Sequence, residues 1–283
     1  MIAELARVVT SDGLRLDGSL ERPLGPVQPP LNADAVLCLH GTGGNFYSSA
    51  LFDEVARWFT GLGLAVLRVN TRGRDLVWPG VRGKQRRLEG AAFETVDECR
   101  HDVAAWVGWL AERGFSRIAV VGHSLGAIKA VYSLAHETTP AVHCVAAISP
   151  PRLSHGHFKQ SVRGAEFIRD YEAAQDLVSA GRPEELMRVS FPLPYLVSAA
   201  GFLDKYGPQE RYNILKHVDR VRCPLLFTFG SVELEQVPFQ RLPEDLSGLG
   251  LANAKVAVVA GADHFYTGVL DQLASRLETW LSE

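Results

Sequence analysis

The sequence is poor in the features that mark several protein classes. It holds four cysteines in 283 residues, Cys38, Cys99, Cys144 and Cys223, far apart and without a C-x-x-C pair. That spacing excludes a disulfide framework and a cysteine metal site, and it fits reduced thiols in a core. Neither sign of charge dominates: 29 Lys and Arg stand against 32 Asp and Glu, a formal net charge of -3. A nucleic-acid-binding chain needs a basic face, so that partner class is set aside. No apolar run reaches the length of a transmembrane helix, and no membrane partner is expected. Met1–Thr10 carries Glu4 and Arg7 and lacks the apolar stretch of a signal peptide. A cytoplasmic location is the resulting expectation. Internal repeats and low-complexity tracts are also lacking.

Apolar residues, by contrast, make up 47% of the chain against 22% charged, enough for a sizeable core. Strand-like and helix-like runs alternate. Arg7–Val9 and Leu14–Leu20 flank an Asp-Gly turn and predict an antiparallel hairpin. A proline-rich connector, Pro23–Pro30, leads to a buried strand over Ala35–Leu39. Helical spacing over Ser49–Thr60 places Leu51, Val55 and Phe59 on one face. A strand at Leu64–Val69, a loop over Asn70–Gly90 and a long helix over Phe93–Arg113 follow. Ile118–Val121, Val142–Ile148, Pro224–Phe229 and Lys255–Val259 read as further strands, and Ala127–Ala135 and Thr267–Leu281 as helices. Between Arg152 and Val221 no strand-like run is found, and helical stretches such as Gly164–Ala180 and Pro183–Val189 replace the alternation. The pattern predicts an α/β fold with a mostly parallel sheet, helices on both faces, and a helical cap of residues 152–221 inserted into a core of 1–151 and 222–283.

The chemistry is expected where strand Ile118–Val121 meets its helix. Gly122-His123-Ser124-Leu125-Gly126 fits G-x-S-x-G, and strand, sharp turn and helix are the context of a nucleophile elbow. A larger residue at Gly122 or Gly126 crowds such a turn. A serine hydroxyl needs a base, an acid to orient that base, and donors for the oxyanion. Gly261-Ala262-Asp263-His264-Phe265 follows the last strand, which makes His264 the base. Glu233 is the first acid beyond the strand at Pro224–Phe229 and is taken as the orienting acid, with Glu235 its competitor. The oxyanion donors are the backbone N–H of Leu125 and one from His40-Gly41-Thr42-Gly43-Gly44, where Thr42 is preferred and Gly43 is the alternative. No G-K-[ST] follows those glycines, so a phosphate loop is not supported. Gly43, His123 and Phe265 are expected to border the substrate.

Gly122–Gly126, His40–Gly44, Gly230–Glu233 and Gly261–His264 together resemble the α/β-hydrolase superfamily, in which serine, acid and histidine follow in this order. Asn70-Thr71-Arg72-Gly73 is similar to the R-G turn of that family. The resemblance implies an eight-stranded, mostly parallel sheet, no metal or other cofactor, and a triad of Ser124, Glu233 and His264. The glutamate stands where aspartate is commoner. The function so implied is hydrolysis of a small-molecule carboxylic ester or thioester through an acyl-enzyme. An acyltransferase or C–C bond hydrolase using the same triad, and a non-catalytic ligand-binding protein, are the alternatives. A monomer and a homodimer are equally compatible with the sequence.

Two further stretches bear on specificity. Arg72, Arg74, Arg82, Lys84, Arg86 and Arg87 face one acid, Asp75, in a single segment. This basic loop either attracts an anionic substrate group or pairs with acids of the cap. Aromatic residues Phe158, Phe167, Tyr171, Phe191, Tyr195, Phe202 and Tyr206, with Phe46, Tyr47, Trp78 and Phe265, either line an acyl pocket or pack as core.

Overall fold

Alternating β-branched and apolar runs fold here into a sheet whose central strands are buried on both faces. In chain order the elements are β1 Ile2–Val9, β2 Arg15–Arg22, β3 Ala35–Leu39, α1 Ala50–Gly61, β4 Ala65–Val69, β5 Trp78–Arg82, β6 Gln85–Glu89, α2 Cys99–Ala111, β7 Ile118–His123 and α3 Leu125–His136. They continue with β8 Val142–Ile148, α4 His155–Gln160, α5 Gly164–Ser179, β9 Leu186–Val189, β10 Tyr195–Ser198, α6 Ala199–Tyr206, β11 Leu225–Gly230, α7 Leu242–Gly248, β12 Ala254–Val259 and α8 Leu270–Leu281. The structure is a computed structural model that describes residues 2–23, 25 and 31–283; most of the Pro23–Pro30 connector lies outside them.

The main sheet has eight strands in the order β1-β2-β4-β3-β7-β8-β11-β12. β1 and β2 pair antiparallel, β2 meets β4 antiparallel, and every pairing from β4 to β12 is parallel. Side chains alternate between two cores even where the whole strand is buried. Ala35, Leu37 and Leu39 join the core on the α2–α3 face, while Val36 and Cys38 join the one on the α1–α8 face. Leu51, Val55 and Phe59 of α1 are buried, as their spacing predicts, and Ser49 caps that helix by accepting from the Phe52 N–H. Among the described residues no helix is long and apolar enough to cross a membrane.

Three expectations need correction. Asn70–Gly90 is not a plain loop, since β5 and β6 form a hairpin within it that bridges back to the β1–β2 turn through Leu14 and Arg82. The Phe93–Arg113 helix starts later: a 3₁₀ turn at Val96–Glu98 precedes α2. Between 152 and 221, the run at Pro183–Val189 is not helical. It supplies β9, which pairs with β10 in a small hairpin between α5 and α6. In both missed hairpins the strands are only four or five residues long and partly exposed, so they lack the apolar run that marks the central strands.

The β5–β6 hairpin is anchored by arginines. The Arg72 side chain is fully buried and donates to Asp102 at 2.8 Å, Glu98 at 2.6 Å and Asp12 at 3.0 Å. Arg82 pairs with Glu89, Glu98 and Asp12. Asp102 is fully buried too, so removing its partner strands a carboxylate away from water. Arg72→Met should therefore lower stability by about 3–5 kcal/mol, read as a drop in the urea midpoint. A change below about 1 kcal/mol removes the anchoring role.

Candidate active site

The site is built from three strand ends at the carboxyl edge of the sheet. β7 runs straight into Ser124, which has φ 55 and ψ -123, and α3 begins at the next residue. A non-glycine residue held there stores strain of about 1–3 kcal/mol, which the surrounding packing must hold. The Ser124 N–H donates to the Ile148 carbonyl at 2.8 Å and so ties the turn to β8. The turn passes so close to β3 that a Cβ on Gly126 would lie 2.0 Å from the Leu39 carbonyl oxygen; only glycine fits. Because Ser124 is the residue before α3, the free N–H groups of that helix, beginning with Leu125, open beside its Oγ.

Glu233 and His264 are brought together. β11 ends at Gly230, and Glu233 lies in the following 3₁₀ turn with its side chain wholly buried. Its Oε2 lies 2.7 Å from His264 Nδ1. Its Oε1 accepts from the Gly230 N–H at 2.7 Å and from Ser149 Oγ at 2.5 Å. The carboxylate is thus held on both oxygens. Glu235, the competitor, is exposed at the end of the same turn. Asp263 turns to the backbone instead, accepting from the N–H groups of Phe265 and Thr267. The His264 ring packs at 4.7 Å from the His123 ring and at 5.0 Å from that of Phe239. Burial, reinforced by His264, pushes His123 down to about 3, so it stays neutral and its Nε2–H donates to the His264 carbonyl at 2.8 Å.

The His40–Gly44 loop lies against the serine. A Cβ on Gly41 would approach Ser124 Cβ to 2.9 Å, so this glycine lets backbone reach Ser124. His40 fixes the loop from below. Burial and the nearby Lys129 lower it to about 4. Its Nδ1 is 2.8 Å from the Gly41 carbonyl and its Nε2 accepts from the Thr71 N–H at 3.0 Å, which sets the neutral Nδ1–H tautomer.

Two cavities meet at these residues. The larger, about 560 Å³, is lined by His40–Asn45, Ser124, His123, His264, Phe265 and residues at the start of α1. The smaller, about 100 Å³, lies between Ser124, Leu125, Thr42 and His264 on one side and Leu153, Phe158, Pro192, Leu193, Lys205 and Tyr206 of the 152–221 segment on the other. Ser124, His264, Thr42 and Leu193 border both; Gly43, His123 and Phe265 border the larger one.

A profile described as the alpha/beta hydrolase family matches residues 36–280. The chain belongs to the alpha/beta hydrolase family. Membership makes it an enzyme of the hydrolase type. No curated protein matches the hydrolase in sequence. Solved structures match its fold over nearly the whole chain. Est1E from Butyrivibrio proteoclasticus with ferulic acid bound is 16% identical at a TM-score of 0.66, covering 98% of both chains. The alpha/beta hydrolase GrgF from Penicillium sp. sh18 is 15% identical at 0.69, covering 99% of this chain and 98% of its own. The Pyrococcus furiosus esterase PF2001 is 19% identical at 0.64, covering 99% of this chain and 90% of its own.

Other expected site features of the hydrolase lie elsewhere. The basic segment Arg72–Arg87 borders neither cavity. Four of its five arginines are taken up by nearby acids: Arg72 and Arg82 as above, Arg74 on Asp75 and over the Trp78 ring, Arg87 on Glu89. The acids they meet belong to the β1–β2 turn, β6, α2 with its leading turn and, for Asp75, the basic segment itself, not to the 152–221 segment. Of the aromatic residues, Phe158, Tyr206 and Phe265 reach a cavity, while Phe167, Phe191 and Phe202 are buried among one another as core. Phe46 and Tyr47 pack edge to face away from both cavities. Sequence reading missed Ser149 and Lys205. Ser149 closes β8, so the rule that strand ends carry function could have found it; nothing in the local pattern of α6 marks Lys205.

Proposed function

We propose that this hydrolase cleaves a carboxylic ester or thioester through an acyl-enzyme. The observation that carries the reading is the pairing of buried Glu233 with His264, which opens onto a cavity that Ser124 shares. In the first step Ser124 Oγ bonds to the acyl carbon while its proton passes to His264 Nε2. Glu233 accepts from His264 Nδ1–H, which leaves Nε2 free to take that proton and stabilises the imidazolium. The tetrahedral oxyanion is held by the N–H groups of Leu125 and Thr42, the latter from a loop that glycine brings within contact of the serine. The imidazolium then protonates the departing alcohol or thiol. Water repeats the sequence: it loses a proton to His264, adds to the acyl carbon, and releases the acid as Ser124 recovers its proton. Bound ferulic acid in Est1E, a free carboxylic acid, is a product of the kind this chemistry releases.

Residues 152–221 act as the cap. They roof the smaller cavity, so they select the acyl group, while the wider cavity receives the leaving group. A fluorophosphonate probe tests the reading: it should label the folded protein at Ser124, located by peptide mass. A folded protein that stays unlabelled overturns it.

A further inference from the structure

A charged cluster that the reaction above does not use lies behind the smaller cavity. Glu94, Lys129 of α3 and Lys205 of α6 meet there, each no more than 2% exposed. Lys129 Nζ donates to Glu94 Oε2 at 2.6 Å and to Thr71 Oγ1 at 3.0 Å, so it is well matched. Lys205 is not. Its Nζ lies 3.6 Å from Glu94 Oε1, and that oxygen has no hydrogen-bond partner. Its contact with Tyr195 Oη is long, at 3.4 Å, with the ammonium 5.3 Å from the ring centroid.

Among the described residues no second counter-charge pairs with Lys205. Asp204, the next acid on the helix, accepts from Tyr212 Oη at 2.9 Å and from the Val96 N–H, and faces Arg211 at 3.6 Å. Burial raises the Tyr195 and Tyr206 hydroxyls, so neither supplies an anion. Two ammonium groups therefore share one carboxylate. The poorly matched one, Lys205, is also the one that borders the smaller cavity with Ser124 and His264. A buried cation with spare donors at the wall of a substrate cavity is complementary to an anion on the substrate. At about 100 Å³ the cavity admits a short chain rather than a long one.

We propose that Lys205 recognises a carboxylate at the far end of the acyl group, so that the substrates are monoesters or monothioesters of short dicarboxylic acids. This rests on the acyl-enzyme reading above and adds the acyl class to it. The carboxylate would complete the Lys205 hydrogen bonds that Glu94 leaves unfilled, and Lys129 would keep Glu94 paired meanwhile.

The test uses p-nitrophenyl hemiesters of the acids from malonic to adipic beside neutral esters of matched chain length, with fluorophosphonate titration counting competent sites in each preparation. At one chain length the wild type should favour the hemiester by about tenfold or more in kcat/KM, as charge-assisted pairing in a desolvated site allows. Lys205→Met should cut that ratio about tenfold or more, mainly through KM, and Lys205→Arg should restore part of it. Should Lys205→Met fail to fold, Lys205→Gln gives the same ratio, and competition by free glutarate against butyrate reads the wild type directly. A titratable wild type with no hemiester preference at any length overturns the assignment, as does a preference that survives in Lys205→Met or Lys205→Gln. A folded wild type that cannot be titrated overturns the acyl-enzyme reading and this assignment with it.

Discussion

Ser124→Ala should lose about 10⁴-fold or more in kcat on any ester the wild type hydrolyses, with no covalent labelling by a fluorophosphonate. The size of the loss follows from what is removed. Without Oγ no acyl-enzyme can form, and only the oxyanion donors and the positioning of water are left to act. The fold should not suffer. Alanine at φ 55 is strained as serine is, and the hydroxyl makes none of the hydrogen bonds that tie the turn; those run through the Ser124 N–H and carbonyl. An unchanged thermal midpoint beside vanished activity is the expected pair of results. Activity within tenfold of wild type would remove Ser124 from the mechanism.

The second large effect belongs to Glu233. Glu233→Gln keeps the shape of the side chain but supplies an amide where two faces both demand an acceptor. Oε1 meets two donors, the Gly230 N–H and Ser149 Oγ, and Oε2 meets His264 Nδ1. The glutamine oxygen will stay with the two donors, which turns its NH₂ toward the histidine. Nδ1 must then accept, the proton moves to Nε2, and the base can no longer take the serine proton. A loss of about 10³–10⁴-fold in kcat is expected, with KM nearly unchanged. Glu235→Gln, on an exposed side chain, should stay within about twofold. Equal losses in the two variants would reassign the acid.

How far the sequence could be read follows from which signals are local. The central strands were legible because their apolar runs are long and bounded by turn residues. The elbow was legible because glycine, serine and glycine sit at fixed spacing between a strand and a helix. The meeting of Glu233 with His264 was legible by position, each a short step past a strand. The β5–β6 and β9–β10 hairpins were not, since half-exposed strands of four or five residues carry no sustained alternation. The basic segment misled for a different reason: its charge is visible locally, but the acids that answer Arg72 and Arg82 lie at Asp12, Glu98 and Asp102. Lys205 was invisible because its meaning depends on Glu94 and Lys129, brought to it from two other elements.

The sheet order sets one more property of the site. Ser124 follows β7, which has strands on both sides, whereas His264 follows β12, the last strand of the sheet. β12 pairs only with β11, and of its residues only Val259 is buried. In native-state fluctuations an edge strand opens far more often than a central one. The two halves of the proposed proton path therefore have unequal lifetimes. Near the unfolding transition the base should detach while the nucleophile is still in place, so that catalysis fails before the core does.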